Sequence, residues 1–152
     1  AVVNEQPNSA TGTLTLINIS EDSFGNDSPG FGHIIATIPV GNEPDSVSIL
    51  QDGTRAYVAN RGDGTVSVVS LISNTVTSTI ALPQEPCTAN QPNVLCNVHP
   101  ISIAATTGTP TGKVYVVSPD TNVLTIIQTV NDTIDANLPL TGNGVQVLVS
   151  AP

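Results

Sequence analysis

Two cysteines, Cys87 and Cys96, have the most definite chemistry in this chain, and eight residues separate them in the stretch CTANQPNVLC. A zinc site would need further ligands at ligand spacing, and the nearest histidine, His99, would be a third ligand at best. The pair therefore favours a disulfide that closes a surface loop. The chain-entropy contribution of so short a loop is about 2 to 3 kcal/mol. A disulfide indicates an oxidising compartment, so we expect an exported, extracellular or cell-surface protein.

The residues that catalysis usually needs do not occur together in this sequence. His33 and His99 have no neighbouring nucleophile motif, and there is neither a Gly-x-Ser-x-Gly elbow nor a glycine-rich phosphate loop. We therefore expect no enzyme activity and no cofactor. Arg61 and Asp63 could hold a small polar ligand or a partner's charged side chain, although Arg61-Gly62-Asp63-Gly64 also reads as a solvated turn.

Oxygen-bearing side chains gather between residues 21 and 27, where Glu21, Asp22, Asn26 and Asp27 are found. Calcium sites use such oxygens, but the spacing does not follow the calcium-loop pattern, which favours a polar loop without a metal. The glycosylation acceptor pattern is met at Asn18, Asn26 and Asn131. Asn26 and Asn131 are the better candidates because they fall in loops that we expect to be exposed.

The charge balance argues against two classes of partner. Asp and Glu outnumber Lys and Arg by 12 to 3, which gives a formal net charge of −9 in 152 residues. Such a surface repels phosphate backbones and anionic lipid headgroups, so we expect neither nucleic-acid binding nor membrane insertion. The sequence also contains no apolar run of the roughly 18 residues that a spanning helix requires. Without an initiator Met, Ala1 reads as a processed or trimmed start.

The chain partly repeats itself, and this repeat is what must position the loops. Shifting residues 57–82 forward by 58 positions places them without a gap on residues 115–140, and Tyr57 falls on Tyr115. The apolar pattern repeats more faithfully than the residue identities do. A period of this kind is typical of repeat architectures, in which each supersecondary unit buries its apolar face against a neighbour.

Turn residues divide each repeat into four short strands rich in Val, Ile and Thr, which predicts an all-β fold with antiparallel meanders. In the middle unit, Asp52-Gly53 marks the first hairpin and Ser73-Asn74 the third. We expect a single domain, 1–152, with eleven strands. Its parts are the second half of a unit with a loop insertion (12–40), a full unit (44–82), the disulfide loop insertion (83–99), a second full unit (100–140) and the first strand of a further unit (143–149).

The middle unit resembles a blade of the YVTN-type β-propeller repeat family. Its hallmark strand end is met by Tyr57-Val58-Ala59-Asn60, whereas the next unit ends in Ser118 in place of the asparagine. The resemblance implies radial blades whose first strands lie innermost. It also implies an incomplete arc of about 2.75 blades, because a closed ring usually needs four to eight. The chain would then be a segment of a longer propeller, or copies would complete one another.

In such propellers, function usually lies in the loops at the channel mouth. The resemblance places Arg61, Asp63, His99 and Asp120 there as residues that could face a partner, together with Glu43, Asp45 and Asn143. We expect a non-enzymatic scaffold or interaction module that binds a protein partner or associates with itself through open blade edges, so a homo-oligomer is possible. Two alternatives stay open: a subunit of an extracellular fibre, and part of a lactonase-like or hydrolase propeller.

Overall fold

A computed structural model of the chain describes residues 1–5, 11–84, 95, 98–106, 112–142 and 144–149. Within these ranges the chain forms three antiparallel sheets and no helix that could span a membrane. The strands are β1 Val2–Asn4, β2 Thr13–Ile17, β3 Ile34–Pro39, β4 Pro44–Ile49, β5 Arg55–Asn60, β6 Thr65–Ser70, β7 Thr75–Ala81, β8 Ser102–Ala105, β9 Lys113–Ser118, β10 Val123–Gln128 and β11 Thr133–Pro139. The all-β prediction is confirmed.

Each sheet is a meander in chain order, and we call them blade 1 (β1–β3), blade 2 (β4–β7) and blade 3 (β8–β11). The repeat extends to irregularities of the pairing. The register shifts after Val68 in blade 2 and after Ile126 in blade 3, which are 58 positions apart. Blade 1 shifts at the matching position, after Leu16. The three sheets are therefore copies of one unit down to the bulge in the last strand pair.

Turn residues explain where the strands end. Asn74 and Asp132 occupy equivalent positions in the last hairpins of blades 2 and 3, with φ of 55° and 56°. Gly64 and Asn122 are equivalent in the second hairpins, with φ of 64° and 52°. Left-handed backbone is accessible to glycine and, among other residues, most readily to asparagine and aspartate. The hairpins of both blades therefore depend on these few residues.

Blade 1 differs from the expectation, because it has three strands where the sequence predicted two. The additional strand is β1, which pairs antiparallel with β2. It occupies the position of a second strand: the Asn4 amide donates to Thr15 Oγ1 at 2.9 Å, as the Asn60 amide donates to Ser67 Oγ at 2.8 Å in blade 2. Three residues are too short for the alternation that marked the other strands. Within the described residues, blade 1 therefore holds the second, third and fourth strands of a unit.

The hydrophobic core lies between blades. One cluster joins blades 1 and 2, with Leu14, Ile38 and Val58 among its buried members. A larger cluster joins blades 2 and 3 and includes Tyr57 and Ile127, both fully buried. Blade 2 thus buries both of its faces against neighbouring sheets, as stacked repeats require.

Hydroxyl groups connect the first strands of neighbouring blades. The N–H of Ile103 donates to Ser46 Oγ at 3.3 Å, and the N–H of Ala105 donates to Ser48 Oγ at 3.0 Å. These contacts link β8 to β4, the strands through which blades 2 and 3 meet most extensively. Small serine side chains let the two strands approach closely, as the crowded inner end of a radial arrangement demands.

Residues 143–149 were predicted to be the first strand of a further blade, and the structure assigns no strand to the described part, residues 144–149. A first strand pairs with the second strand of its own blade, and the described residues contain none after this segment. The Val147 N–H donates to Ser102 Oγ at 3.1 Å, just as the Ile103 N–H donates to Ser46 Oγ one blade earlier.

Candidate functional site

The loops at one end of the three blades form the candidate site, which we call the mouth surface: residues 41–43, 60–64, 98–100 and 118–122. They comprise connections between blades and the second hairpins of blades 2 and 3. The side chain of Asn60, the last residue of β5, is fully buried beneath them. It accepts a hydrogen bond from the Gly41 N–H at 3.1 Å and donates to Thr65 Oγ1 at 3.0 Å. Asn60 therefore fixes the inter-blade connection on the hairpin.

Arg61 pairs with Glu43 and not with Asp63. Arg61 Nη1 lies 3.4 Å from Glu43 Oε2, and the Arg61 N–H donates to the Glu43 carbonyl at 2.9 Å. Both side chains remain accessible, at 50% and 41% exposure. An exposed pair of this kind contributes at most about 1 kcal/mol to stability, so both charges remain available to a partner.

Asp63 has a structural contact within the mouth surface. Its Oδ2 accepts a hydrogen bond from the Asn42 N–H at 2.6 Å, which ties the second hairpin of blade 2 to the connection from blade 1. Asp63 also borders two cavities of about 440 and 420 Å³. The larger one lies between this hairpin and the segment that leads into blade 3, where Val98 and Leu95 contribute apolar walls.

His99 and Asp120 form a second pair on the mouth surface, with His99 Nδ1 2.5 Å from Asp120 Oδ2. The two pairs have the same architecture, since each joins a connection between blades to the following second hairpin. Their polarity is reversed, because the acid is on the connection in Glu43–Arg61 and on the hairpin in His99–Asp120. The sequence analysis expected all four residues at this end but did not predict which of them form pairs.

A partly buried network at the opposite end of the blades was not predicted from the sequence. Arg55 Nη1 contacts both carboxylate oxygens of Asp132 at 2.6 and 2.8 Å, and the Tyr57 hydroxyl donates to Asp132 Oδ1 at 2.5 Å. Arg55 also donates to the Thr129 carbonyl at 2.8 Å. Burial, with the Asp132 carboxylate as the next cause, raises the pKa of Tyr57 above its ordinary value. We call this set the latch, because it joins blade 2 to blade 3.

The aspartate in the latch could have been noticed in the sequence. Asp132 lies 58 positions after Asn74 and occupies the equivalent turn position with nearly the same φ. Blade 3 therefore has a charged side chain where blade 2 has a neutral one. Nothing local identifies its partner, since Arg55 precedes it by 77 residues.

The acidic residues 21–27 form a hairpin of their own. The Asp22 carboxylate accepts the N–H groups of Asn26 and Phe24 at 2.9 and 2.8 Å. The backbone hydrogen bond from Asn26 is the main reason that the pKa of Asp22 lies below its ordinary value. Among the residues described, no group of three or more His, Cys, Asp or Glu side chains is placed to hold a metal ion.

The remaining predicted site residues are placed as follows. Asn26 and Asn131 are exposed, and Asn18 is half-buried, with its Oδ1 accepting the Ser20 N–H at 2.9 Å. Cys87 and Cys96 lie outside the described residues, as do most of the 83–99 insertion and Asn143. The missing asparagine of blade 3 has a visible consequence: within the part of the chain that the structure describes, the buried Ser118 Oγ has no hydrogen-bond partner.

Comparison with solved structures identifies the architecture. The chain resembles hydrazine synthase from Kuenenia stuttgartiensis, with a TM-score of 0.67 and 15% identity over 95% of this chain and 37% of the other. AztD from Citrobacter koseri gives a TM-score of 0.56 and 12% identity over 88% and 32%. The WD40 repeats of RRP9 give 0.55 and 14% over 90% and 37%. The described residues form part of a β-propeller.

The comparisons establish the fold and nothing finer. The chain spans about a third of the length of these structures. No protein-family model matches the sequence, and no curated protein sequence does.

Proposed function

We propose that this chain is an exported, non-enzymatic propeller module of the YVTN repeat type, which binds a protein partner through the mouth surface. The observation that supports this most is the arrangement of Glu43–Arg61 and His99–Asp120. Two accessible pairs of opposite polarity lie on the mouth surface, where Asp63 and Val98 line a cavity of about 440 Å³. Acidic and basic side chains in this arrangement beside a partly apolar cavity can select a partner with the complementary pattern.

The innermost strands support a binding role over a catalytic one. A propeller hydrolase brings acids or histidines together at the channel. Here, the hydroxyls of Ser46, Ser48 and Ser102 accept backbone N–H groups from the next blade, so they are occupied in holding blades together. Hydrolysis of a lactone by the purified chain that disappears with a chelator would contradict this assignment.

Export rests on the cysteine pair and is tested separately. The protein, isolated from its natural source without reductant, is denatured and treated with a thiol-alkylating reagent. We expect Cys87 and Cys96 to remain unmodified until a reductant is added, because a disulfide persists only in an oxidising compartment. Two freely alkylated thiols would remove the main support for an extracellular location.

Partner binding is tested with a variant that reverses the charges of one pair but keeps the pair. Glu43→Arg combined with Arg61→Glu preserves the ion pair, so the fold is retained while the pattern that a partner would contact is inverted. We expect saturable binding of the labelled chain to intact cells of its source organism, weakened at least tenfold in the swapped variant. Gln51→Lys, an exposed change at the opposite end, serves as the control. Equal binding by all three proteins would contradict the proposed surface.

A further inference from the structure

Asp63 is an exposed acid of the mouth surface that has no counter-charge in the described structure. The sequence holds three Lys and Arg residues in all, and each of them pairs with a different acid. These three pairs are Arg55–Asp132, Arg61–Glu43 and Lys113–Asp135. The histidine of the mouth surface, His99, contacts Asp120. A cation that pairs with Asp63 therefore has to come from another molecule.

One carboxylate oxygen of Asp63 is free for such a contact. Oδ2 accepts the Asn42 N–H at 2.6 Å, and Asp63 takes part in no other hydrogen bond among the described residues. The carboxylate is also closely packed on the connection from blade 1, since a Cβ at Gly41 would lie 2.6 Å from Oδ2. Asp63 thus presents Oδ1 in a fixed position as an acceptor for a further donor.

The larger cavity beside Asp63 places an apolar wall next to this carboxylate. Its volume is about 440 Å³, and Asp63 is the only charged residue among the described residues that line it. The wall includes Leu82 and Val98, which are nearly fully buried, and the more exposed Leu95. The second cavity, of about 420 Å³, is lined by the hydroxyl-bearing residues Thr11, Thr65, Ser67 and Thr79. A side chain with an aliphatic stem and a cationic end therefore matches the larger cavity.

The walls of this cavity hold one another in place. Gly64, with φ of 64°, packs on the connection into blade 3, since a Cβ at this position would lie 2.8 Å from the Val98 carbonyl oxygen. The Leu82 N–H donates to the Gly64 carbonyl at 3.0 Å, which fixes the end of β7 on the same hairpin. A preformed site of this kind loses less free energy to ordering when a ligand binds.

We propose that the protein partner inserts a lysine side chain into this cavity, with its ammonium group on Asp63 Oδ1 and its methylene stem against Leu82 and Val98. Lysine fits better than arginine, because a guanidinium group pairs best with both oxygens of a carboxylate and Oδ2 already accepts the Asn42 N–H. An ammonium group is a compact charge that needs only Oδ1. We rest this inference on the proposed function, because it names the chemistry by which the mouth surface recognises its partner.

The site is tested first on the purified chain, without the partner. N-acetyl-lysine methylamide and the corresponding norleucine and arginine derivatives are titrated into the isotope-labelled chain, and amide chemical shifts are followed by NMR. We expect the lysine derivative to shift the amides of 62–64 and 98 saturably, in the millimolar range that is usual for such small ligands. The norleucine derivative keeps the stem without the charge and should bind about fivefold more weakly, which is the most that an exposed ion pair supplies. Equal binding of these two derivatives, or arginine binding that equals or exceeds lysine binding, would overturn the proposal.

Four variants assign the contact, and the amide spectrum of each shows that it is folded. Asp63→Asn keeps an acceptor for the Asn42 N–H and should bind the lysine derivative no better than the norleucine derivative. Asp45→Asn removes an exposed acid outside the cavity and should change nothing. Leu95→Ser should weaken binding of both derivatives, whereas Thr79→Val, in the second cavity, should leave it unaltered. The opposite result for this last pair would place the ligand in the second cavity and overturn the assignment.

Binding to intact cells of the source organism separates this inference from the proposed function. We expect Asp63→Asn to weaken that binding about fivefold, as the lysine contact requires. If the swapped variant of Glu43 and Arg61 binds weakly while Asp63→Asn binds like the unaltered chain, the mouth surface contacts its partner without a lysine in this cavity, and the lysine proposal alone is overturned. Equal binding by both variants and the unaltered chain would overturn the proposed function as well.

Discussion

The latch between blades 2 and 3 gives the sharpest test of how this repeat is stabilised. The perturbation is Asp132→Ala, and its matched control is Asn74→Ala. Both residues occupy the same turn position with nearly the same left-handed φ, 56° and 55°. The described structure gives Asn74 Oδ1 no hydrogen-bond partner, whereas Asp132 accepts hydrogen bonds from Arg55 and Tyr57. Comparing the two variants therefore separates the cost of placing alanine in left-handed backbone from the stabilisation that the latch contacts provide.

The expected magnitudes follow from these contacts. Alanine in left-handed backbone costs about 1 kcal/mol, and both variants incur this. Removing the carboxylate also leaves a largely buried Arg55 without its counter-charge. Loss of a fully buried pair costs about 3 to 5 kcal/mol, and an exposed pair at most about 1. With exposures of 26% and 18%, we expect about 2 kcal/mol here. The buried Tyr57 hydroxyl loses its acceptor, which adds about 1 kcal/mol.

Asp132→Ala should thus lower the free energy of unfolding by about 4 kcal/mol and Asn74→Ala by about 1 kcal/mol. Urea unfolding followed by far-UV circular dichroism suits the assay, because the chain has no tryptophan. With a slope of about 2 kcal/mol per molar urea, the two midpoints should differ by about 1.5 M. Asp132→Asn, which keeps an acceptor for Tyr57, should fall between them. Equal losses for Asp132→Ala and Asn74→Ala would refute the latch.

Three further predictions concern single side chains. Ile127→Ala should lower the free energy of unfolding by about 3 kcal/mol, whereas Ile72→Ala, at an exposed turn, should change it by less than about 0.5 kcal/mol. Urea unfolding measures both values. Asn60→Ala should cost about 2 to 3 kcal/mol because three polar groups lose a partner, whereas Ser118→Ala should be nearly neutral in the same assay. The raised pKa of Tyr57 means that its contribution to stability is complete below the ordinary tyrosine value of 10.0 and is lost as pH rises above it. From pH 9 to pH 11, the free energy of unfolding should therefore decrease less in Tyr57→Phe than in the unaltered chain. Equal decreases in the two proteins would contradict this reasoning.

Most strand boundaries could be predicted because they depend on local features. Turn residues predicted the first and third hairpins of the middle unit at Asp52-Gly53 and Ser73-Asn74, and the structure places them between β4 and β5 and between β6 and β7. The second full unit was expected at 100–140, and its four strands β8–β11 run from Ser102 to Pro139. β1 was missed, since a three-residue strand is defined by its partner β2 and not by its own pattern. The first strand predicted within 143–149 is not a strand in the described residues, because a strand is defined by pairing with a neighbour.

The candidate site shows the same division. The resemblance to propeller blades placed Arg61, Asp63, His99 and Asp120 in loops at one end of the blades, and in the structure they lie in the connection into blade 3 and in the second hairpins of blades 2 and 3. Adjacency in sequence suggested that Arg61 and Asp63 act together, yet Arg61 pairs with Glu43 and Asp63 holds the Asn42 N–H. Residues two apart across a tight turn diverge, whereas the connection from the preceding blade passes beside the hairpin.

The sequence by itself determined the repeating unit and its all-β character. These follow from periodicity and turn chemistry, which act over a few residues. Only the tertiary structure decided which charges pair, that Arg55 reaches Asp132 across 77 residues, and that Val2–Asn4 forms the second strand of blade 1. Such contacts form between sheets, so their partners are set by how the sheets stack and not by the spacing along the chain.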